Sequence, residues 1–242
     1  GGISDWLAPW PSVQAVDRLR RHRPDVRLFF MSLKHPNPDI TEMRMAVAAR
    51  DLSDRLGLTG THAFFNEGWV EYDDRQNYLL DADIGVSTHL DHIETAFSFR
   101  TRILDYLWAG LPVVATGGDV FGALIEQRGL GAAVPPGDVE ALTDALRLLR
   151  TDASRRKECG TAARAPATEL TWATVVQPLL AFCAAPHRAS DLVNPSVRAH
   201  LKQPFDVVRA PTPGPPGWRG ELALARDYLA KGFRIIAYGV DH

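Results

Sequence analysis

The chain has 242 residues, 45% of them apolar, and a formal net charge of −2. This length suits one large α/β domain or a domain with an arm, and the balanced charge argues against nucleic acid or an anionic membrane surface as the main partner. The sequence has no membrane-spanning apolar run and no signal peptide, and its two cysteines fit neither a disulfide nor a zinc spacing. We therefore expect a cytoplasmic protein, with the inner face of the membrane as an alternative location.

The first part of the sequence alternates helical and strand patterns, which is typical of βαβ units and a parallel sheet. Pro11 fits the first turn of a helix, Thr41 and Asp138 are candidate helix caps, and Gly57 is a candidate helix end. The predicted order is a helix from about residue 11, strand 26–32, helix 40–56, strand 62–66, a short helix from 73 or 74, strand 83–88, loop 88–98, a helix ending before Gly110, strand 113–116, helix 120–127, strand 131–134, helix 139–150, and helices from about 153 and 173.

The composition changes near residue 184. Residues 186–217 are rich in proline and lack periodicity, which predicts an arm. A helical pattern at 221–231 and a strand-like run at 233–238 follow. We predict a Rossmann-like domain at 1–184, with a parallel sheet and helices on both faces, then an arm at 185–220 and a helix with a strand-like end at 221–242. Because the sequence opens at Gly1 with no strand before the first helix, we expect the first strand to be missing.

The stretch 99–118 is the most informative part of the sequence. It predicts a short helix, a strand led by Pro112 and a turn at Gly117 and Gly118. Ligands bind beyond the carboxyl ends of parallel strands, and a helix N-terminus offers free N–H groups to a phosphate.

Three charged residues belong to this predicted helix end. Arg100 and Arg102 can bind phosphate oxygens, and Asp105 can accept hydrogen bonds from ribose hydroxyls. A solvated helix end, with a carboxylate stabilised by about 0.5 kcal/mol at the positive end of the helix, explains the same residues without a ligand. The spacing alone leaves both interpretations open.

Three segments together resemble a known family: residues 105–116 (DYLWAGLPVVAT), the glycine pair that follows, and residues 129–138 (GLGAAVPPGD) before a helix. They are similar to the donor-binding, C-terminal half of GT-B glycosyltransferases, most of all the retaining family 4 group, over about residues 1–184. The resemblance implies a two-domain enzyme that transfers a sugar from a nucleoside-diphosphate donor with retention, needs no metal or other cofactor, and binds its acceptor mainly through an N-terminal domain missing from this chain.

The resemblance also implies residue roles. Asp105 takes the place of the ribose-binding glutamate of the family. The first acidic residue of the family falls on Phe97, which cannot serve, and Glu94 is the nearest substitute, expected to position the sugar or stabilise an oxocarbenium-like state. The phosphate-binding Arg and Lys of the family have no counterpart within residues 1–6, so Arg100, Arg102 or Lys34 would supply that charge.

Two further residues complete the expected site. Gly2 permits close backbone approach to phosphate, and Trp69 is either a platform for the base or a packed core aromatic. The expected donor-binding residues are Gly2, Lys34, Trp69, Ser98, Arg100, Thr101, Arg102 and Asp105, and the expected catalytic residues are Glu94 and Arg102.

Other functions compete with this interpretation. His89, Asp91 and His92 match the last half of the metal-binding pattern of metallo-β-lactamase-like hydrolases, but Ser87 stands where the first His should be. A nicotinamide dehydrogenase would need Gly-x-Gly-x-x-Gly, which residues 1–6 do not provide. A non-catalytic nucleotide-binding module remains a third alternative.

Overall fold

A computed structural model describes residues 7–33, 37, 39 and 41–187. Five short parallel strands form two sheets within these residues, one of β1 and β2 and one in the order β3-β4-β5. The elements are α1 (Trp10–Arg20), β1 (Leu28–Phe30), α2 (Arg44–Arg55), β2 (Ala63–Phe65), α3 (Arg75–Leu80) after a 3-10 turn (Tyr72–Asp74), β3 (Gly85–Ser87), α4 (Ile93–Phe97), α5 (Thr101–Trp108), β4 (Val113–Thr116), α6 (Val120–Arg128), β5 (Gly131–Val134), α7 (Val139–Thr151), α8 (Ala153–Ala162), α9 (Arg164–Glu169), α10 (Trp172–Val175) and α11 (Gln177–Ala184).

The predicted α/β class with parallel strands and helices is confirmed, with differences at element boundaries. The strands predicted at 113–116 and 131–134 have these bounds, whereas the first three strands are each three residues long. The helix predicted from 40 begins at Arg44 with Met43 as its N-cap, so Thr41 does not cap it. The predicted loop 88–98 contains α4. Element ends are the part that local pattern determines least.

The core lies between the helices and the sheets. Val13, Val16 and Leu19 of α1 are buried, as their helical spacing predicts. The same holds for Leu142 and Leu149 of α7, the helix against which α1 packs. Burial of each such side chain contributes about 1.5–3 kcal/mol to stability.

A cavity of about 730 Å³ lies between the two sheets. Within the described residues, β1 and β3 each have one edge without a strand partner. Both line the cavity, through Leu28–Phe30 and through Gly85 and Val86, and α1 and α5 also contribute residues to its wall. The cavity therefore runs along β3, from Asp83 and Ile84 before the strand to Thr88 after it.

The described residues fall into two compact units, the first ending at Thr168 and the second holding residues 169–187. The second unit contains α10 and α11, with exposed Trp172 and Leu179. The predicted arm beyond residue 187 and the predicted C-terminal helix and strand-like end at 221–242 lie outside the described residues. No helix among the described residues combines the length and the apolar character that crossing a membrane requires.

Candidate functional site

Helix α5 presents two of the predicted donor-binding residues to the cavity. Arg102 and Asp105 are three positions apart, so they share one face of the helix, and both line the cavity. Arg75 from α3 lines it as well. The sequence did not single out Arg75, because its pattern gives only an arginine in a short helix.

Burial and the nearby arginines have opposite effects on the pKa of Asp105. Burial raises the pKa of the Asp105 carboxyl, and the positive charges of Arg75 and Arg102 oppose this rise. Asp105 is therefore a half-buried carboxyl group within the electrostatic range of two guanidinium groups. Such a carboxylate can accept hydrogen bonds from sugar hydroxyls, while the neighbouring cations attract an anionic group.

Arg75 connects this cluster to two aromatic rings. Its guanidinium carbon lies 5.6 Å from the ring centre of Trp69 and 5.3 Å from that of Tyr72, distances typical of cation–π contacts. Trp69 is 37% exposed. Of the two interpretations of Trp69, the structure therefore disfavours the packed core aromatic and leaves an accessible ring beside the cavity-lining Arg75.

Tyr106 fixes α5 against β3. Its hydroxyl donates a hydrogen bond of 3.0 Å to the carbonyl of Val86. Its ring lies so close to Gly85 that a Cβ at that position would be 2.5 Å from two ring carbons. The glycine therefore allows the close approach that holds Asp105, the residue before Tyr106 in the helix, at the cavity.

Arg100 has a different position from the one predicted. It is buried, and its Nε donates to Asp119 Oδ2 at 2.7 Å while its Nη2 donates to the carbonyl of Thr95 at 2.9 Å. A phosphate contact would require this guanidinium at an accessible helix end, whereas here a carboxylate and a carbonyl already bind it. We therefore correct the expected role of Arg100 from phosphate binding to an internal ion pair.

Glu94 lies on α4, close to the loop that follows β3. Its backbone N–H donates to Nδ1 of His92 at 3.1 Å, and Thr95 completes the cap at the start of this short helix. The Oε2 atom of Glu94 is buried without a hydrogen-bond partner in the described residues. Such an oxygen is costly to leave unpaired, although Glu94 is not among the residues that line the cavity.

Four predicted residues contribute less to the described site. Ser98 follows α4 and donates its N–H to the carbonyl of Glu94 at 2.8 Å, and Thr101 is exposed at the start of α5. Gly2 and Lys34 lie outside the described residues.

The metal-site alternative depends on His89, whose ring is buried. Its Nδ1 lies 2.8 Å from the carbonyl oxygen of Leu90, and its Nε2 lies 3.1 Å from that of Thr116. Both ring nitrogens therefore face carbonyls. Among the residues that the structure describes, no three His, Cys, Asp or Glu side chains are grouped closely enough to hold a metal ion. The geometry thus gives no support to the hydrolase alternative.

His89 also predicts a pH dependence of stability. Burial lowers its pKa from the ordinary value near 6.5 and outweighs the opposing effects of the Leu90 and Thr116 carbonyls and the Asp119 carboxylate, and the charge of Arg100 lowers the pKa further. The unfolded chain then binds the proton more readily than the folded chain, so the free energy of unfolding should fall as the pH drops below about 6.5. Because a single proton is involved, the unfolding equilibrium constant should rise at most about tenfold per pH unit. In urea titrations between pH 5 and 7, the free energy of unfolding should depend less steeply on pH in His89→Gln than in the exposed control His22→Gln. An equal pH dependence in the two variants would contradict the assignment of this effect to His89.

The residues that form this site fall within a segment that matches a known protein family. The sequence model of the family described as "Glycosyl transferases group 1" matches residues 12–152, more than half of the chain. The chain belongs to the group 1 glycosyltransferases. The matched segment contains α5, the residues around the cavity from Arg75 to Asp105, and the Arg100–Asp119 pair. No curated protein sequence matches this glycosyltransferase chain significantly.

Solved structures show the same fold. The C-terminal domain of a group 1 glycosyltransferase (LpcC) from Francisella tularensis is 16% identical over 70% of this chain and 82% of that one, with a TM-score of 0.57. The glycosyltransferase WaaG, involved in lipopolysaccharide biosynthesis, is 21% identical over 77% and 46%, with a TM-score of 0.57. Anabaena HepE in complex with UDP and glucose is 19% identical over 76% and 47%, again with a TM-score of 0.57. The fold is that of GT-B glycosyltransferases, and the chain spans less than half the length of the last two proteins.

Proposed function

We propose that this chain is the donor-binding half of a retaining glycosyltransferase that uses a nucleoside-diphosphate sugar. The observation that carries the proposal is that Arg75 and Arg102 line the same cavity as Asp105 and both act on its charge. Family membership supports sugar transfer, and the likeness to an isolated C-terminal glycosyltransferase domain supports the donor half. UDP is the first nucleotide to test, because HepE forms a complex with UDP and glucose.

Each residue of the site has a task that matches its chemistry. Arg102, with Arg75 beside it, stabilises the diphosphate, on which negative charge grows as the sugar departs. Asp105 accepts hydrogen bonds from the ribose hydroxyls. Trp69 and the guanidinium of Arg75 offer flat faces to the base. Glu94 positions the sugar or stabilises an oxocarbenium-like state.

The reaction that follows from these tasks is a displacement at the anomeric carbon. The bond from that carbon to the diphosphate oxygen breaks, and a bond to the acceptor oxygen forms on the same face. The departing phosphate takes the acceptor proton, so the protein need not supply a strong base, a step implied by the family resemblance. The positive charge of the arginines serves where other enzymes use a metal ion, and the acceptor is bound mainly by a domain outside this chain.

UDP binding can be measured on the isolated chain. At a UDP concentration 100 times its Kd, ligand binding stabilises a protein by about 2.7 kcal/mol, which corresponds to a rise in Tm of about 5–10 °C for a domain of this size. We expect this rise with UDP in the presence of EDTA as well as in its absence, and a much smaller rise with uridine. A shift with zinc ions and none with UDP would instead favour the hydrolase.

A nucleotide-binding module without catalytic activity would give the same shift. The two functions differ in turnover, which requires the whole protein. Formation of UDP from a UDP-sugar by the whole protein and an acceptor, with loss of turnover in Glu94→Gln, supports the enzyme. Binding of UDP without any turnover of the sugar nucleotides supports the module.

A further inference from the structure

One buried ion pair joins the ends of three helices beside the candidate site. Asp119 is the N-cap of α6, where its Oδ1 accepts the N–H of Gly122 at 2.7 Å, and its Oδ2 accepts Arg100 Nε at 2.7 Å. Arg100 is itself the N-cap residue of α5, and its Nη2 donates to the carbonyl of Thr95 on α4. The pair therefore holds α4, α5 and α6 together.

The burial of this pair indicates a role beyond general stability. The two side chains are only 5% and 1% exposed. Because desolvation offsets much of the attraction between buried charges, well-packed apolar residues can often replace such a pair without loss of stability. What the pair supplies, and apolar residues cannot, is a set of directed hydrogen bonds at fixed angles.

Helix α4 is the element that depends most on these bonds. It has five residues, too few to be stable by its own hydrogen bonds. Thr95 anchors it at both ends, because its hydroxyl lies 2.8 Å from the carbonyl of Leu90 and its own carbonyl is bound by Arg100. Glu94, the preceding residue, has the unpaired buried Oε2. The anchoring of Thr95 therefore fixes the backbone of α4, from which the Glu94 side chain extends.

We propose that Arg100 and Asp119 form a positioning pair that holds Glu94 in its orientation for the sugar. The pair acts through the carbonyl of Thr95 and touches neither the diphosphate nor the sugar. This inference rests on the proposed function for its ligand, but the pair itself can be tested without one. Arg102 and Asp105 lie on α5, which the hydrogen bond from Tyr106 to Val86 holds against β3 independently of the pair. Disruption of the pair should therefore change the sugar end of the site more than the nucleotide end.

The experiment compares Arg100→Met, Asp119→Asn and the double variant with wild type and with Arg147→Ala, which removes an exposed arginine on α7. Asp119→Asn keeps a good helix cap and the shape of the side chain, so it serves where Arg100→Met fails to fold. The first readout is amide hydrogen exchange of Ala96 and Ser98, which donate within α4, relative to the amides of β4. The second is the carboxyl ¹³C resonance of Glu94, assigned through Glu94→Gln.

We expect exchange at Ala96 and Ser98 to accelerate about tenfold or more relative to β4 in both single variants, and the Glu94 resonance to move. The double variant should resemble either single variant, because the two residues act as one unit. Arg100→Lys should restore only part of the effect, since an ammonium cannot reproduce the planar fork. UDP affinity should stay within about threefold of wild type.

Two results would overturn the proposal. Unchanged α4 exchange and an unmoved Glu94 resonance in Asp119→Asn would show that the pair does not position α4. A large loss of UDP affinity in Arg100→Met with normal α4 exchange would return Arg100 to phosphate binding. Failure of wild type to bind UDP would count against the proposed function alone, because both α4 readouts are taken without nucleotide.

Discussion

Replacement of Arg102 by alanine should raise the Kd for UDP by about 10- to 150-fold. A hydrogen bond to a charged group contributes about 1.5–3 kcal/mol, and 1.4 kcal/mol is a tenfold change in affinity. Arg102 lines the cavity and acts electrostatically on Asp105, and in the proposed function its charge stabilises the diphosphate beside the ribose. Isothermal titration calorimetry with UDP measures the effect directly.

The matched control for Arg102→Ala is Arg147→Ala. Arg147 is exposed and pairs with the exposed Asp144 three residues earlier, so its removal changes the net charge equally but leaves the cavity intact. The Tm of both variants should stay close to that of wild type, because exposed charge pairs contribute little to stability. Equal UDP affinity in wild type, Arg102→Ala and Arg147→Ala would contradict the phosphate assignment.

The sequence predicted the segment from α5 to α7 well, because single residues decide each boundary there. Gly110 adopts a φ of +68° after α5, a backbone conformation that glycine tolerates and that residues with a side chain rarely adopt. Asp138 accepts the N–H of Ala141 and thereby caps α7. Both signals act over two or three residues, so they are visible without knowledge of the fold.

The parts of the site that the sequence did not predict depend on contacts between distant residues. Asp119 is nineteen residues from Arg100, and nothing in either local pattern marks their pairing. Without the carboxylate, an arginine before a helix looks like a solvated phosphate ligand, which explains the incorrect expectation for Arg100. Helix α4 was missed because five residues show no helical period and its cap is a histidine rather than one of the usual capping residues.

The second large effect concerns stability, and Gly131→Ala should produce it. Gly131 begins β5 with a φ of +153°, and it pairs with Val113 at the start of β4. A Cβ at this position would overlap the carbonyl oxygen of Val113 and lie 2.8 Å from its backbone nitrogen and carbon. Since β4 is the central strand of its sheet and buried along its whole length, the strand cannot move aside without disrupting the core.

We expect Gly131→Ala to lower the free energy of unfolding by about 4 kcal/mol or more, a large share of the 5–15 kcal/mol typical of a domain. Urea denaturation measures it, and two glycines separate its causes. In Gly129→Ala the new Cβ has no atom within 4 Å but the residue must keep a positive φ, so the free energy of unfolding should fall by only about 1–2 kcal/mol. In Gly68→Ala there is neither a positive φ nor a close contact, so the free energy of unfolding should hardly change. If Gly131→Ala lowered the free energy of unfolding no more than Gly129→Ala, the positive φ alone would explain the need for glycine. The close approach of β5 to β4 would then not be the cause.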